Sequence, residues 1–434
     1  MDQGLRGISA LGVVASHTVL SFWRDIVPPS VDKEGHLVGL MQRPILRLVA
    51  QGNAWLAVFF ILLGYVNSLK CIAQSRAGKT DTALHILASN SFRRTGRLVF
   101  PAAAVTVLAW LACQLGAFDL ARESDAYWLR TTAPRSSSTW LGAVGDLLAG
   151  LVDTWLRSSN PYDQPQWALL PLLKGSMLVF MVLLITVRTT PRFRLLVEVF
   201  LYTWSWLRGD FLVGTNIFAG MILAELVSDD LPSRHNLLTT LLPFPLAFAG
   251  LFLMSFPNEY YEQTTWSRIL AQAGRLIFPL SSEMGRAWPG LGAQILCFSV
   301  CFSPLMRQAM SHKYLIWLGG IAYSLYLLHG PLMRSILAWM AFTPAVMIWG
   351  SNQGILGGQL AGQSLIPLPR PLAFAIILPL FWAFLLFVVH LWSSKVEPKF
   401  GTATKLVEDL ALGKRSEVGV IPTLPTHRVE LVKR

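Results

Sequence analysis

Residues 4–17 read GLRGISALGVVASH, an apolar run interrupted by two ionisable side chains, Arg6 and His17. A bilayer-spanning helix needs about 20 mainly apolar residues, fewer where the helix breaks inside the protein. Segment 7–23 meets that requirement. Nine more segments follow it, at 51–69, 97–117, 166–187, 195–207, 211–227, 237–255, 292–308, 314–338 and 371–392. The expected fold is all-α, a polytopic integral membrane protein with about ten transmembrane helices. The first run carries no small-residue cleavage site and holds Arg6 and His17, so it reads as a span and not a signal peptide.

Composition agrees with that solvent. Of 434 residues, 53% are hydrophobic and 14% charged, with 16 Trp and 24 Phe. A soluble domain carries roughly 25% charge. Disorder, a collagen-like fibre and a disulfide-built secreted domain are excluded together. The four cysteines sit in apolar settings, and Cys297 and Cys301, four apart in CFSVCF, read as small core residues. No pattern suggests a zinc site.

The net charge of +12 invites a nucleic-acid reading, which the placement of the charges opposes. Loop 70–97 holds Lys70, Arg76, Lys79, Arg93, Arg94 and Arg97 against Asp81 alone, and turn 188–194 holds Arg188, Arg192 and Arg194. The tail from Lys395 has eight basic and five acidic residues, whereas loop 118–165 has four Arg against six acids. With ten spans the basic loops share one side with both termini, and the positive-inside rule makes that side cytoplasmic. The chain then divides into a transmembrane domain, 1–394, with a folded lumenal loop at 118–165 carrying a short amphipathic helix near 141–157, and a flexible cytoplasmic tail, 395–434. An endoplasmic-reticulum or other endomembrane location is the expectation for such a multi-pass chain. There is no internal repeat, which weakens an inverted-repeat transporter reading.

Ionisable groups inside a membrane are costly and default to functional hypotheses. Arg6 and His17 are eleven residues apart, which at ~100° per residue brings them within about 20° of one helix face. Their axial separation is about 16 Å at 1.5 Å per residue, comparable to an extended pantetheine arm. An Arg at the cytoplasmic end would hold a phosphate while the deeper His meets a thioester. The bland alternative is an interfacial anchor plus an interhelical hydrogen bond. His329 ends SLYLLH, with Tyr323 and Tyr326 on nearby turns. A His329–Tyr326 pair would orient an acceptor or line a cavity, or simply tie the bundle together. Asn53, Glu198, Glu225 and His390 are further polar residues at or near span ends.

GLRGISAL followed by His17 resembles the opening motif of the membrane-bound acyltransferase 3 family. Three more segments are similar to that family in the same order: AVFFILLGYVNS (57–68), FRRTGRLVFPA (92–102) and LGGIAYSLYLLHGPL (318–332). WALLPLLKGSM (167–177) resembles its fungal branch. The resemblance implies transfer of an acyl group, usually acetyl, from an acyl-CoA co-substrate to a hydroxyl of a small molecule, with a secondary metabolite as the expected acceptor and no permanently bound cofactor. It carries Arg6 and His17 across as the catalytic pair, His17 as general base. Neutral imidazole is well matched to that task. Coenzyme A bears several phosphate charges that guanidinium groups bind well, which makes Arg6, Arg93, Arg94 and Arg97 the donor-binding candidates; Arg93 and Arg97, four apart, share a face. Tyr326 and His329 are the acceptor-binding candidates. Among the departures, Leu172 stands where fungal members commonly have Glu, and Leu63 replaces the second-helix Ser. The N-terminal D-G-L-R-G motif is shifted by one residue, and Met1 abuts it, as it would if a preceding cytoplasmic segment were absent. A secondary transporter using Arg6, His17 and His329, a membrane acyltransferase of the unrelated His–Asn type and a catalytically impaired family member remain the alternatives.

Overall fold

The computed structural model describes residues 1–228, 241–353 and 365–411, and these are helical nearly throughout; the one β-bridge among them joins Ser124 to Ile366. In chain order the helices are α1 (Asp2–Phe22), α2 (Gly52–Arg76), α3 (Thr80–Gln114), α4 (Asp119–Glu123), α5 (Tyr127–Thr132), α6 (Trp140–Leu156), α7 (Leu169–Thr186), α8 (Pro191–Leu207) and α9 (Gly214–Val227). There follow α10 (Pro243–Met254), α11 (Thr265–Ile277), α12 (Met284–Phe302), α13 (Pro304–Met310), α14 (Lys313–Leu332), α15 (Ala338–Gln353), α16 (Pro371–Leu391) and α17 (Glu397–Ala411).

Among the described residues six stretches are long and apolar enough to cross a membrane: α1, α2, α3, Gln164–Thr186, Lys313–Met347 and Pro371–Ala411. A seventh arises if the bent pair α12–α13 counts as one span. The protein is therefore a multi-pass membrane protein, but a count of ten is not confirmed. The expected spans at 195–207, 211–227 and 237–255 correspond to helices of 17, 14 and 12 residues, and 237–240 lie outside the described residues. Segment 292–308 is not one helix. Pro304 lacks the N–H that would continue α12, Ser303 Oγ accepts from the Met306 N–H instead, and the chain turns by 101°.

Helix α1 lies inside the bundle between α2 and α14. Its approach to α14 is close enough to require glycine on both sides: a Cβ on Gly7 would sit 2.8 Å from the Gly319 nitrogen, and one on Gly319 would sit 2.1 Å from the Gln3 carbonyl oxygen. That contact fixes how Arg6 and His17 face their neighbours. The outer surface is apolar, as lipid contact requires; Ile185 and Leu372 are 72% and 80% exposed. Loop 118–165 contains α4, α5 and α6. Helix α6 turns Leu141, Val144, Leu148, Val152 and Leu156 outward, an apolar stripe suited to lying against lipid.

The flexible tail expected from Lys395 is corrected over its first part. Residues 397–411 form α17, which docks on α3. Thr404 packs against Gly96, where an added Cβ would lie 2.4 Å from its Oγ1, and Glu408 accepts from Arg93 and Ser89 at 2.6 Å and 2.8 Å. Pro398 sits in the first turn of this helix, where its missing N–H does no harm. Residues 412–434 lie outside the described residues.

Candidate active site

Arg6 and His17 of α1 open on different cavities. Arg6 lines one of about 260 Å³ together with Asn67, Arg94, Arg97, Leu172, Tyr323 and Glu397. His17 lines another of about 280 Å³, whose wall is mostly apolar (Val13, Leu20, Val27, Trp167), with Ser16, Asn53, Asn258 and Glu259 among its polar members. Leu56 and Tyr326 line both, so the cavities meet back to back at these two side chains.

The first cavity is rich in guanidinium groups. Three guanidinium groups come from two helices, Arg6 from α1 and Arg94 and Arg97 from one turn of α3. Arg94 Nε donates to Ser176 Oγ at 3.1 Å, which aims its fork. Asn67 Nδ2 is buried without a hydrogen-bond partner among the described residues, a donor available to a ligand. Arg93 is the exception among the four expected arginines. Its side chain is 44% exposed and its Nε donates to Glu408 at 2.6 Å, so it serves the docking of α17 and does not line the cavity. The face shared by Arg93 and Arg97 is thus not the one that matters; Arg94 and Arg97, three apart, are the lining pair. Leu172, at the position expected to carry a carboxylate, lines this cavity. A carboxylate reaches it from elsewhere in the chain: Glu397 accepts from Ser324 Oγ at 2.6 Å.

Around His17 the contacts are tighter. His17 Nδ1 lies 2.8 Å from His329 Nε2, with the two rings within 5° of parallel. Trp128 of α5 stacks on the His17 ring, centroids 4.5 Å apart. His329 is wholly buried, and its Nδ1 faces the Tyr326 and Leu325 carbonyls at 2.7 Å and 3.2 Å. It lines neither cavity, which places it behind His17. Tyr326 does line both, but its hydroxyl donates to the Pro165 carbonyl. Its hydroxyl is therefore already engaged, and its ring is what it offers to the cavities. The expected His329–Tyr326 neighbours do meet, ring centroids 6.0 Å apart, but the hydrogen bond of His329 is to the Tyr326 backbone and not to its hydroxyl. Tyr323 likewise spends its hydroxyl on the Leu98 carbonyl, at 2.8 Å.

A second layer holds this arrangement. Pro331 interrupts α14, and the following turn, Met333–Leu337, widens to a π-helical one. Arg334 on that turn is fully buried, with its guanidinium carbon 5.8 Å from the centre of the Trp128 ring. It donates to Asp163 at 2.8 Å and to the Thr132 carbonyl at 2.8 Å. Burial outweighs the neighbouring guanidinium and leaves the Asp163 carboxyl at about 7, above the ordinary carboxylate range. Trp128, Arg334, Asp163, Asn67 and Glu397 were not legible as site residues in sequence. Arg334 alone carried a usable signal, an arginine inside an apolar run two residues beyond the 318–332 segment. Of the other polar residues singled out, Glu225 is buried in an ion pair with Arg194 and Arg76, away from both cavities, and His390 meets Trp317.

Comparison with known proteins matches the family model described as an acyltransferase domain, of the acyltransferase 3 type, over residues 3–394. O-acetyltransferase PaAT-1 of Phomopsis amygdali is 25% identical over 372 residues, 77% of this chain and 72% of that protein. Acyltransferase R4 of a Phoma species is 22% identical over 403 residues, 80% of this chain and 84% of that one. Both relatives are fungal. No solved structure matches. Four motifs in order, an Arg and a His on one helix face and a family match across nearly the whole chain agree: the protein belongs to the membrane-bound acyltransferase 3 family and is an acyltransferase.

Proposed function

We propose that the enzyme transfers an acyl group, acetyl by preference, from acyl-CoA to a hydroxyl of a small neutral metabolite. The observation that supports this is the placement of Arg6 and His17 on one face of α1, opening on two cavities that share the Leu56–Tyr326 wall. The donor phosphates sit on Arg6, Arg94 and Arg97, and the pantetheine arm runs along α1 over the ~16 Å to His17. The acceptor occupies the second cavity, whose apolar lining suits a hydroxylated terpenoid or polyketide better than a sugar.

His17 takes the hydroxyl proton as the oxygen attacks the thioester carbonyl. An ester C–O bond forms, the C–S bond breaks, and the leaving thiolate takes the proton from His17. No Ser or Cys lines the second cavity next to His17 except Ser16, whose hydroxyl donates to the Val13 carbonyl at 2.7 Å. This supports direct transfer without an acyl-enzyme. Both PaAT-1 and R4 carry acyl-transfer names, which supports the same reaction type. The basic face, with the donor cavity, is cytoplasmic by the positive-inside rule, and the membrane is an endomembrane such as the endoplasmic reticulum.

Deletion of the gene is expected to leave a deacylated metabolite in place of its ester. Membranes containing the protein release thiol from acetyl-CoA when given that metabolite. His17→Ala abolishes the release while the protein remains folded and inserted; normal turnover by that variant would overturn the assignment.

A further inference from the structure

His17 and His329 are bonded through one nitrogen each, and the other contacts of His329 decide where the protons are. The Tyr326 and Leu325 carbonyls, 2.7 Å and 3.2 Å from His329 Nδ1, can only accept. His329 Nδ1 therefore carries a proton. Among the described residues neither ring is hydrogen-bonded to a carboxylate. A charged group acting on both is the cation Arg334, whose own carboxylate partner is Asp163. An additional unpaired cation buried here would cost several kcal/mol, so both imidazoles are neutral at rest.

A neutral His329 with its proton on Nδ1 has a lone pair on Nε2. That atom faces His17 Nδ1 at 2.8 Å, a hydrogen bond only if His17 Nδ1 is the protonated nitrogen. His17 then has Nε2 free of a proton, on a residue that lines the acceptor cavity. The chain of donors runs in one direction, from His17 to His329 to the backbone of α14. Trp128, stacked on the His17 ring, prevents it from turning about this bond.

We propose that His329 is a positioning residue: by accepting the Nδ1 proton of His17 it selects the tautomer in which His17 Nε2 is the base that deprotonates the acceptor. It does in this bundle, without a charge, what a buried carboxylate does for histidine in hydrolase triads. When His17 takes the acceptor proton, the bond to His329 becomes charge-assisted and strengthens as the reaction needs it. This role rests on the reading of His17 as general base and replaces the expected contact of His329 with the acceptor.

Solid-state nitrogen NMR of histidine-labelled protein in lipid tests the tautomers directly, with His17→Gln and His329→Gln assigning two of the eight histidines. Both rings are expected neutral with the proton on Nδ1. A His17 protonated at Nε2, or a charged His329, overturns the proposal. Kinetics use acetyl-CoA and the deacylated metabolite accumulated by the deletion strain. His329→Leu is expected to lower kcat by about 10²–10⁴-fold, the range of a wrong-tautomer defect, with both KM values within about twofold. His329→Gln can donate its amide to the Tyr326 carbonyl and accept from His17, so it keeps at least about tenfold more kcat than the Leu variant. If His329→Leu does not fold, the Gln variant and the spectrum carry the test: a folded Gln variant as inactive as His17→Gln counts against the role. A His329→Leu enzyme with unchanged kcat, or with only a raised acceptor KM, overturns it while leaving His17 in place. Normal turnover by His17→Gln would instead remove the general base itself.

Discussion

Arg334 and Asp163, 171 residues apart, form an ion pair at 2.8 Å in which neither side chain is exposed at all. It ties the end of α14 to the segment entering α7, and so holds the floor under Trp128 and the two histidines. The two partners differ in what happens when the other is lost. A lone carboxylate can take up a proton, whereas a guanidinium stays charged.

Asp163→Leu should therefore be the more damaging change, costing about 3–5 kcal/mol as expected for stranding a buried charge. Arg334→Met should cost less. Thermal unfolding in detergent, read side by side for the two variants, checks the order; equal losses would contradict it.

The same carboxyl gives a pH dependence. Its folded-state value of about 7 is raised above the unfolded range, so the folded state binds the proton more tightly. The stability it contributes is complete below the ordinary carboxylate range and is lost as pH rises through about 7. Tm should fall between about pH 4 and pH 7, and Asp163→Asn should flatten that part of the profile.

Donor binding should separate neighbouring arginines. Arg94→Gln is expected to raise KM for acetyl-CoA about tenfold or more, equivalent to about 1.4 kcal/mol, through loss of a cavity-lining charge. Arg93→Gln should leave that KM unchanged, because Arg93 faces Glu408. An equal rise in both would mean that the donor site extends beyond the cavity. Steady-state kinetics with varied acetyl-CoA decide the matter.

Glu397 places a carboxylate among Arg6, Arg94 and Arg97. Like charges repel in a partly buried site, so Glu397→Gln should tighten donor binding several-fold. A loss of kcat without that tightening would show that the carboxylate takes the part expected of the residue at 172.

Trp128 should matter through its ring. Trp128→Ala frees the His17 imidazole to rotate and is expected to lower kcat about 10–100-fold, since small misplacements of reacting groups carry costs of that order. Trp128→Phe, which keeps a stacking face, should recover most of it. Unchanged kcat in the Ala variant would leave the stack without a catalytic role.

Much of the site was legible because it lies on one helix. Arg6 and His17 share a face by periodicity alone, and their rarity in an apolar run made them stand out. Arg93, Arg94 and Arg97 were legible as a group but not individually. Which of them meets the cavity depends on α17, a helix taken for flexible tail because its short amphipathic sequence has no apolar run to announce it. His329 was singled out as polar and intramembrane, yet its partner is 312 residues away, and no spacing rule reaches that far.

Hydropathy and 3.6-residue periodicity are local properties, so the chain's own sequence determined an all-helical membrane protein and the candidate pair, Arg6 and His17, on one face of its first helix. The tertiary structure decided that these residues open on two cavities, that His329 bonds to His17 and lines neither, that Arg93 faces Glu408 outside the Arg6 cavity and that Arg334 pairs with Asp163. Each of those depends on which helices become neighbours. In an apolar bundle that choice is made by close packing, such as Gly7 against Gly319, whose atoms meet only after the chain has folded.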